Sequence, residues 1–346
     1  NGMLELSIVQ PSHAVPLRSG LKCVALRGPN AADVLSQLDM LAALQLPRAP
    51  PILPFLLAPR SAPPTPKLAL AYARATPNLD HLLAEALAKF GLNDEQEQVL
   101  RQVRAWLVDG GNGGCAPPPP AQPPVLLVHG VFGAGKSHLL VAVIWFLQRA
   151  LTGTTRHGKP LKVLLAALTN VAVDNVLAGL IACCPEGEEP GVLRVGALRR
   201  IASSVLPHST HGKLASEDEA ATKRELQREL SSCSAAERAG LQSAIAQIDS
   251  GRMRARAQAI SKYTVVGATI AATGLPCLAG LKFDIVLLDE CSQLTEPASL
   301  LPLARMGCER LLAVGDPMQL PPTLHNRTAS GARVLPTSGN FLHERN

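Results

Sequence analysis

Gly130-Val-Phe-Gly-Ala-Gly-Lys-Ser137 is a G-x-x-x-x-G-K-S phosphate loop, and what flanks it decides the fold. Before it runs Val125-Leu-Leu-Val-His129, an apolar stretch suited to a buried parallel strand. After it, Ser137 to Arg149 suits a helix. Strand, glycine-rich loop and helix in that order turn a pattern into a mechanism. Gly130, Gly133 and Gly135 let the backbone curl so that its N–H groups surround phosphates, with Ala134 and His138 in the same wrap. Lys136 reaches the terminal phosphates, Ser137 ligates Mg²⁺, and the helix N-terminus adds positive potential. Such a chain binds a nucleoside triphosphate or descends from one that did.

The other half of such a site belongs on a second strand that ends in an acid. Asp284-Ile-Val-Leu-Leu-Asp-Glu290 supplies it. Asp289 at the strand end can hold Mg²⁺, and Glu290 is placed to polarise an attacking water as general base. Alone, an acidic pair after an apolar run also fits a solvated strand end. About 150 residues after a phosphate loop, it fits the catalytic reading better.

Composition sets the outer bounds. The chain has 346 residues, 47% of them apolar but only 3% aromatic, so its core rests on Leu, Val, Ile and Ala. The eight cysteines form no C-x-x-C pair and no zinc-ligand spacing. Neither a signal peptide nor an apolar run of membrane-spanning length is present, so no membrane is expected and an intracellular location follows. Net charge is +6. Between Gly191 and Thr264, 12 Lys/Arg stand against 7 Asp/Glu, an excess of 5 in one region. Arg194, Arg199, Arg200, Lys213, Arg252, Arg254 and Arg256 are candidates for touching phosphates, although on charge alone a solvated helical face is the better explanation.

From Val125 onward strand and helix alternate. Strands are expected at 125–129, 162–168, 264–268, 285–289 and 310–314, with helices to Ala150 and over 171–183. The fold class is α/β, a RecA-like doubly wound parallel sheet with a mainly helical insertion at 215–260. Residues 1–90 are poorly defined: 31–46 and 68–90 read as helical, but eight prolines over 47–66 exclude a regular element there. A second proline-rich stretch, 110–124, reads as an insertion before the first core strand. The chain begins with Asn1 rather than methionine and reads as a piece of a longer product.

Four further stretches narrow the function. Leu92-Asn-Asp-Glu-Gln96 precedes the core, and the Gln96 amide offers a donor and an acceptor that match the N6/N7 edge of adenine. Thr169-Asn-Val-Ala-Val-Asp-Asn175 follows the second strand; Thr169 or Asn170 would cap the next helix, whose N-terminus can hold a nucleic-acid phosphate. Cys291 to Pro297 continues from the acidic pair. Gly315-Asp-Pro-Met-Gln-Leu-Pro-Pro322 places Gln319 beside the phosphate loop, where it can sense the γ-phosphate, and prolines 317, 321 and 322 stiffen the connection.

Together these stretches, in this order and spacing, resemble superfamily 1 helicases of the branch that moves 5′ to 3′. Arg194 to Pro207 and Val265-Val-Gly-Ala-Thr269 look like the nonsense-mediated-decay and senataxin-like group. The wording of 129–137 and of 289–293 is most similar to the helicases with a GRF-type zinc finger, a finger this chain lacks. The resemblance covers about 90–325. It implies an ATP site made of Gln96, Gly130, Gly133, Ala134, Gly135, Lys136, Ser137, His138, Asp289, Glu290 and Gln319. Of these, Lys136, Glu290 and Gln319 would be catalytic, and Ser137 with Asp289 would hold Mg²⁺. Thr169, Asn170, Val171 and Thr269 would meet single-stranded nucleic acid, DNA favoured over RNA, and a nuclear location follows. Residues 91–325 would form the first lobe, with an accessory subdomain at about 176–263 and a tail at 326–346.

The family places ATP between two lobes, and the 24 residues after Pro322 are too few for a second. The resemblance therefore implies a second lobe in the parent protein and poor turnover by this chain alone. A nucleotide-dependent binding or scaffold protein is the alternative. A small-molecule kinase would leave Gln96 and 315–322 unexplained.

Overall fold

The computed structural model describes residues 50–57, 78–107, 123–152, 155–156, 159–213 and 235–322. In chain order the strands are β1 (Val125–His129), β2 (Thr155–Arg156), β3 (Lys159–Pro160), β4 (Val163–Ala167), β5 (Val192–Val195), β6 (Val265–Thr269), β7 (Ile285–Asp289) and β8 (Arg310–Gly315). The helices are α1 (Leu53–Leu57), α2 (Leu79–Phe90), α3 (Asp94–Ala105), α4 (Lys136–Leu151), α5 (Asn170–Ala182), α6 (Thr210–Lys213), α7 (Ala235–Ile260) and α8 (Glu296–Met306). β2 and β3 form a small antiparallel pair. The other six make one parallel sheet in the order β1-β8-β7-β4-β6-β5.

Side chains alternate across each strand, and both faces are covered. Leu165, Ala167, Leu287, Leu312 and Val314 enter a core shared with α2 to α5. Their neighbours Leu164, Ala166, Val286, Leu288, Leu311 and Ala313 enter a second core with α8, Phe283 and Ile260 at the end of α7. Burial on both faces is why these strands read as unbroken apolar runs rather than alternating ones. The expected RecA-like doubly wound sheet is what the chain forms. The two outermost strands differ in cover: β5 is buried at all four positions, whereas Leu127 of β1 is 67% exposed.

Several boundaries move. β5 was not anticipated, because four residues interrupted by an arginine make a weak strand signal. It is hydrogen-bonded to β6 and belongs to the main sheet, so the span 176–263 takes in core elements, among them most of α5 and all of β5. The proline-rich 47–66 contains α1, whose Pro54 sits in the first turn, where a missing N–H is harmless. Ile52 just before it is fully buried in the second core. α2 packs Leu79, Leu83, Ala86 and Phe90 into the first core, so the folded unit starts before residue 91. The expected helix at 31–46, most of 110–124, residues 214–234 and the tail lie outside the described residues.

Candidate functional site

Parallel strands present all their C-terminal ends on one edge, and β1, β8 and β7 are consecutive there. The phosphate loop leaves β1, Asp316 to Pro322 leave β8, and Asp289 ends β7. Gly130 N–H donates to the Gly315 carbonyl across the first junction, 3.0 Å. Gly133 and Gly135 have φ of 78° and 76°, left-handed backbone that a side chain would strain. Gly135 is the N-cap of α4 with no side-chain cap, so the first N–H groups of α4 have no capping side chain and are available to an anion. Lys136 Nζ folds back to donate to the carbonyls of Gly130 (2.8 Å) and Val131 (3.0 Å).

Gln96 lies against this loop. Asn93 and Gln96 form a capping box at the start of α3, and Gln96 Nε2 also donates to the Ala134 carbonyl, 3.1 Å. The amide that the sequence assigned to adenine is thus braced on the loop. His138 points elsewhere: its Nε2 lies 2.8 Å from the Phe90 carbonyl, and its ring packs edge-on against Phe90.

Asp289 is buried, and burial pushes its carboxyl up to about 6, with Lys136 opposing. A desolvated carboxylate near Lys136, with the Ser137 hydroxyl at the start of α4 on the neighbouring loop, offers oxygen donors of the kind that suit a hard cation completed by phosphates and water. Among the described residues no cluster of three or more His, Cys, Asp or Glu could hold a metal by itself. Glu290 has φ 51°, the sole non-glycine residue with positive φ among the described residues. Such strain costs on the order of 1 kcal/mol and collects at functional sites.

Asp316 was not singled out in the sequence, yet it organises this corner. It accepts from Gln319 Nε2 (2.9 Å) and Met318 N–H (3.0 Å), and its own N–H donates to Ser292 Oγ (3.2 Å). His129 Nε2 lies 3.6 Å from Asp316 Oδ1. A Cβ on Gly315 would stand 2.9 Å from Cys291 Sγ and Ser292 N, so that glycine allows the turn after the acidic pair to touch β8. Gln319 lines an open groove of about 360 Å³ with Gln293, Met318, Leu320 and Pro321. The glycine-aspartate pair at 315–316 was the available signal.

The other three strand ends, β4, β6 and β5, carry the remaining candidates. Thr169 caps α5, accepting from Ala172 N–H at 3.1 Å, and Val171 is 67% exposed. Asn170 turns its amide oxygen inward to Arg194, 2.9 Å. Thr269 is buried, and its hydroxyl accepts from Ala272 N–H. Arg194, read as a phosphate contact, is fully buried and paired with Asp174. Lys213 is paired with Glu189.

An all-parallel sheet with a phosphate loop, an acidic strand end and a glutamine just beyond the strand between them defines a RecA-like P-loop lobe. The chain matches the AAA domain over residues 92–252 and 238–327 and belongs to that family. It is 42% identical over 255 residues to the 5′-3′ DNA helicase ZGRF1 of Mus musculus, covering 72% of this chain and 13% of that protein. To the DNA-binding protein SMUBP-2 of Rattus norvegicus it is 30% identical over 224 residues, 60% of this chain and 21% of that one. To the helicase SEN1 of Saccharomyces cerevisiae it is 40% identical over 84 residues, 24% of this chain and 4% of that one. These relatives bear out the resemblance to superfamily 1 helicases. The chain spans a small part of each.

Proposed function

We propose that residues 92–322 are the ATP-binding lobe of an enzyme that hydrolyses ATP to move along and unwind nucleic acid. The observation that carries this reading is adjacency. Lys136 and Ser137 follow β1, Gln319 follows β8, and Asp289 and Glu290 close β7, on three neighbouring strands. Lys136 and the first N–H groups of α4 neutralise the phosphates. Ser137 and Asp289 would hold Mg²⁺, which would supply positive charge to the phosphoryl oxygens. Glu290 orients and deprotonates the attacking water, and Gln319, held by Asp316, reads the terminal phosphate. Gln96 braces the loop and presents its remaining polarity to the base.

Phe132, Met318 and Leu320 are 89%, 84% and 76% exposed around this site. Apolar side chains this free are a surface for another body to cover, which supports a second lobe in the parent protein. That lobe would supply arginines worth roughly 10³–10⁵ in rate. The polymer is single-stranded nucleic acid, and the DNA helicase and DNA-binding relatives favour DNA over RNA and a nuclear location. Among the described residues no helix is long and apolar enough to cross a membrane.

ATP turnover by this chain, with and without single-stranded DNA or RNA, tests the reading. Slow turnover that neither polymer raises fits a lobe that needs its partner. A parent protein with both lobes that also failed to hydrolyse ATP would leave a nucleotide-dependent scaffold as the better account.

A further inference from the structure

Arg194 is fully buried, and each part of its guanidinium is engaged. Nε donates to Asp174 Oδ1 (2.6 Å), one terminal nitrogen to Asn170 Oδ1 (2.9 Å) and the other to the Val195 carbonyl (2.6 Å). The second oxygen of Asp174 accepts from Ala202 N–H, 2.8 Å. The pair therefore fastens two surface segments, the first turn of α5 and the loop that leaves β5, to one buried point. A Cβ on Gly196 would lie 2.9 Å from an Arg194 terminal nitrogen, so the chain folds closely over the guanidinium before it surfaces.

What surfaces is the 3₁₀ turn Leu198–Arg200. Ile201 and Val205 anchor it in the first core, while Arg199 and Arg200 are exposed. Among the described residues neither arginine is in an ion pair. β6 stands between β4 and β5, with Ala167 opposite Thr269 and Ala268 opposite Val195. The strand ends from which the turn and Thr169–Val171 depart thus lie two strands, roughly 10 Å, apart on the same edge of the sheet. A buried ion pair is weak evidence for stability, since apolar residues of similar size often serve as well. Here its hydrogen bonds reach Asn170 and Ala202, which points to registration of the two segments.

We propose that Arg199 and Arg200 bind the phosphate backbone of the same single strand that meets Thr169–Val171, and that Asp174 and Arg194 hold these contacts in register. The contact is with the polyanion and is independent of sequence. The proposal rests on the nucleic-acid reading above and adds a second contact point and the device that positions it.

Binding of a labelled oligo-dT strand to the full chain is measured over a range of salt concentrations. Arg199→Ala/Arg200→Ala lowers affinity and makes the slope of log K against log salt shallower by about 1.4, two contacts at about 0.7 each for a single strand. Binding of a nonhydrolysable ATP analogue is unchanged. Arg199→Lys/Arg200→Lys restores the slope. Wild-type chain that binds no strand overturns the nucleic-acid reading along with this proposal; a wild-type slope in the double variant overturns the proposal alone. For registration, the arginine pair is removed again in an Asp174→Asn background, or in Asn170→Ala where the former does not fold. The loss is then smaller than in wild type, because the contacts no longer act together. Strictly additive losses overturn the positioning role.

Discussion

Gln96 and Ala134, 38 residues apart, meet through one hydrogen bond from the glutamine Nε2 to the alanine carbonyl. The same amide would lie 2.8 Å from a Cβ placed on Gly135. The start of α3 and the phosphate loop are thereby one assembly, and a bound base would meet a side chain already fixed at both ends.

Gln96→Ala removes the Gln96 half of the α3 capping box and the brace on the loop together, while Asn93 still caps the helix. Unfolding stability falls by about 1 kcal/mol, the usual worth of a capping interaction. ATP binds more weakly and is less well distinguished from GTP. Equal ATP and GTP affinities in the wild-type chain would show that Gln96 acts on the loop alone.

Glu290→Gly relieves the left-handed strain at φ 51°. The variant gains on the order of 1 kcal/mol in chemical denaturation, and in a parent protein with both lobes it abolishes turnover. Turnover preserved in that variant would remove Glu290 from the general-base role.

Arg194→Met leaves the Asp174 carboxylate buried without its partner. Such losses run to about 3–5 kcal/mol. Asp174→Asn added to it restores part of the stability in urea denaturation. A single variant as stable as wild type would contradict the buried pair.

Lys162 gives the pH dependence. Its ammonium donates to the carbonyls of Ser261 and Tyr263 behind α7, and burial pulls it down to about 8, with Asp284 opposing. The folded value lies below the unfolded one, so between about pH 8 and 10.5 the unfolded chain holds more protons, and this group's contribution to stability rises with pH. The neutral amine still donates, so the contacts persist. Melting temperatures of wild type and Lys162→Met across that window diverge, wild type gaining relative to the variant. Parallel curves would contradict the assignment.

The segments proposed to hold the nucleotide are local in the sequence: loop, acidic pair and glutamine each sit within a few residues of a strand end, and five of the six strands of the main sheet were expected from their apolar residues. What escaped was set by distant neighbours. Arg194 looks like any basic residue until Asp174 and Asn170 are brought beneath it, and β5 is too short to declare itself. Thr269 and His138 carry polar atoms in the right segments, yet Thr269 is buried and the His138 ring is drawn to Phe90. Asp316 was overlooked because its partners, Ser292 and His129, come from other strand ends.

The Mg·ATP site proposed on the ends of β1, β8 and β7 depends on Lys136. Titration calorimetry of the full chain with Mg·ATP, beside Lys136→Ala, tests it most directly. Both hydrogen bonds of the Lys136 ammonium go to its own loop, so the variant should melt close to wild type. Wild type binds measurably, and the variant loses at least tenfold in affinity, about 1.4 kcal/mol or more. Equal affinity in two equally folded proteins would place the nucleotide elsewhere and contradict that dependence.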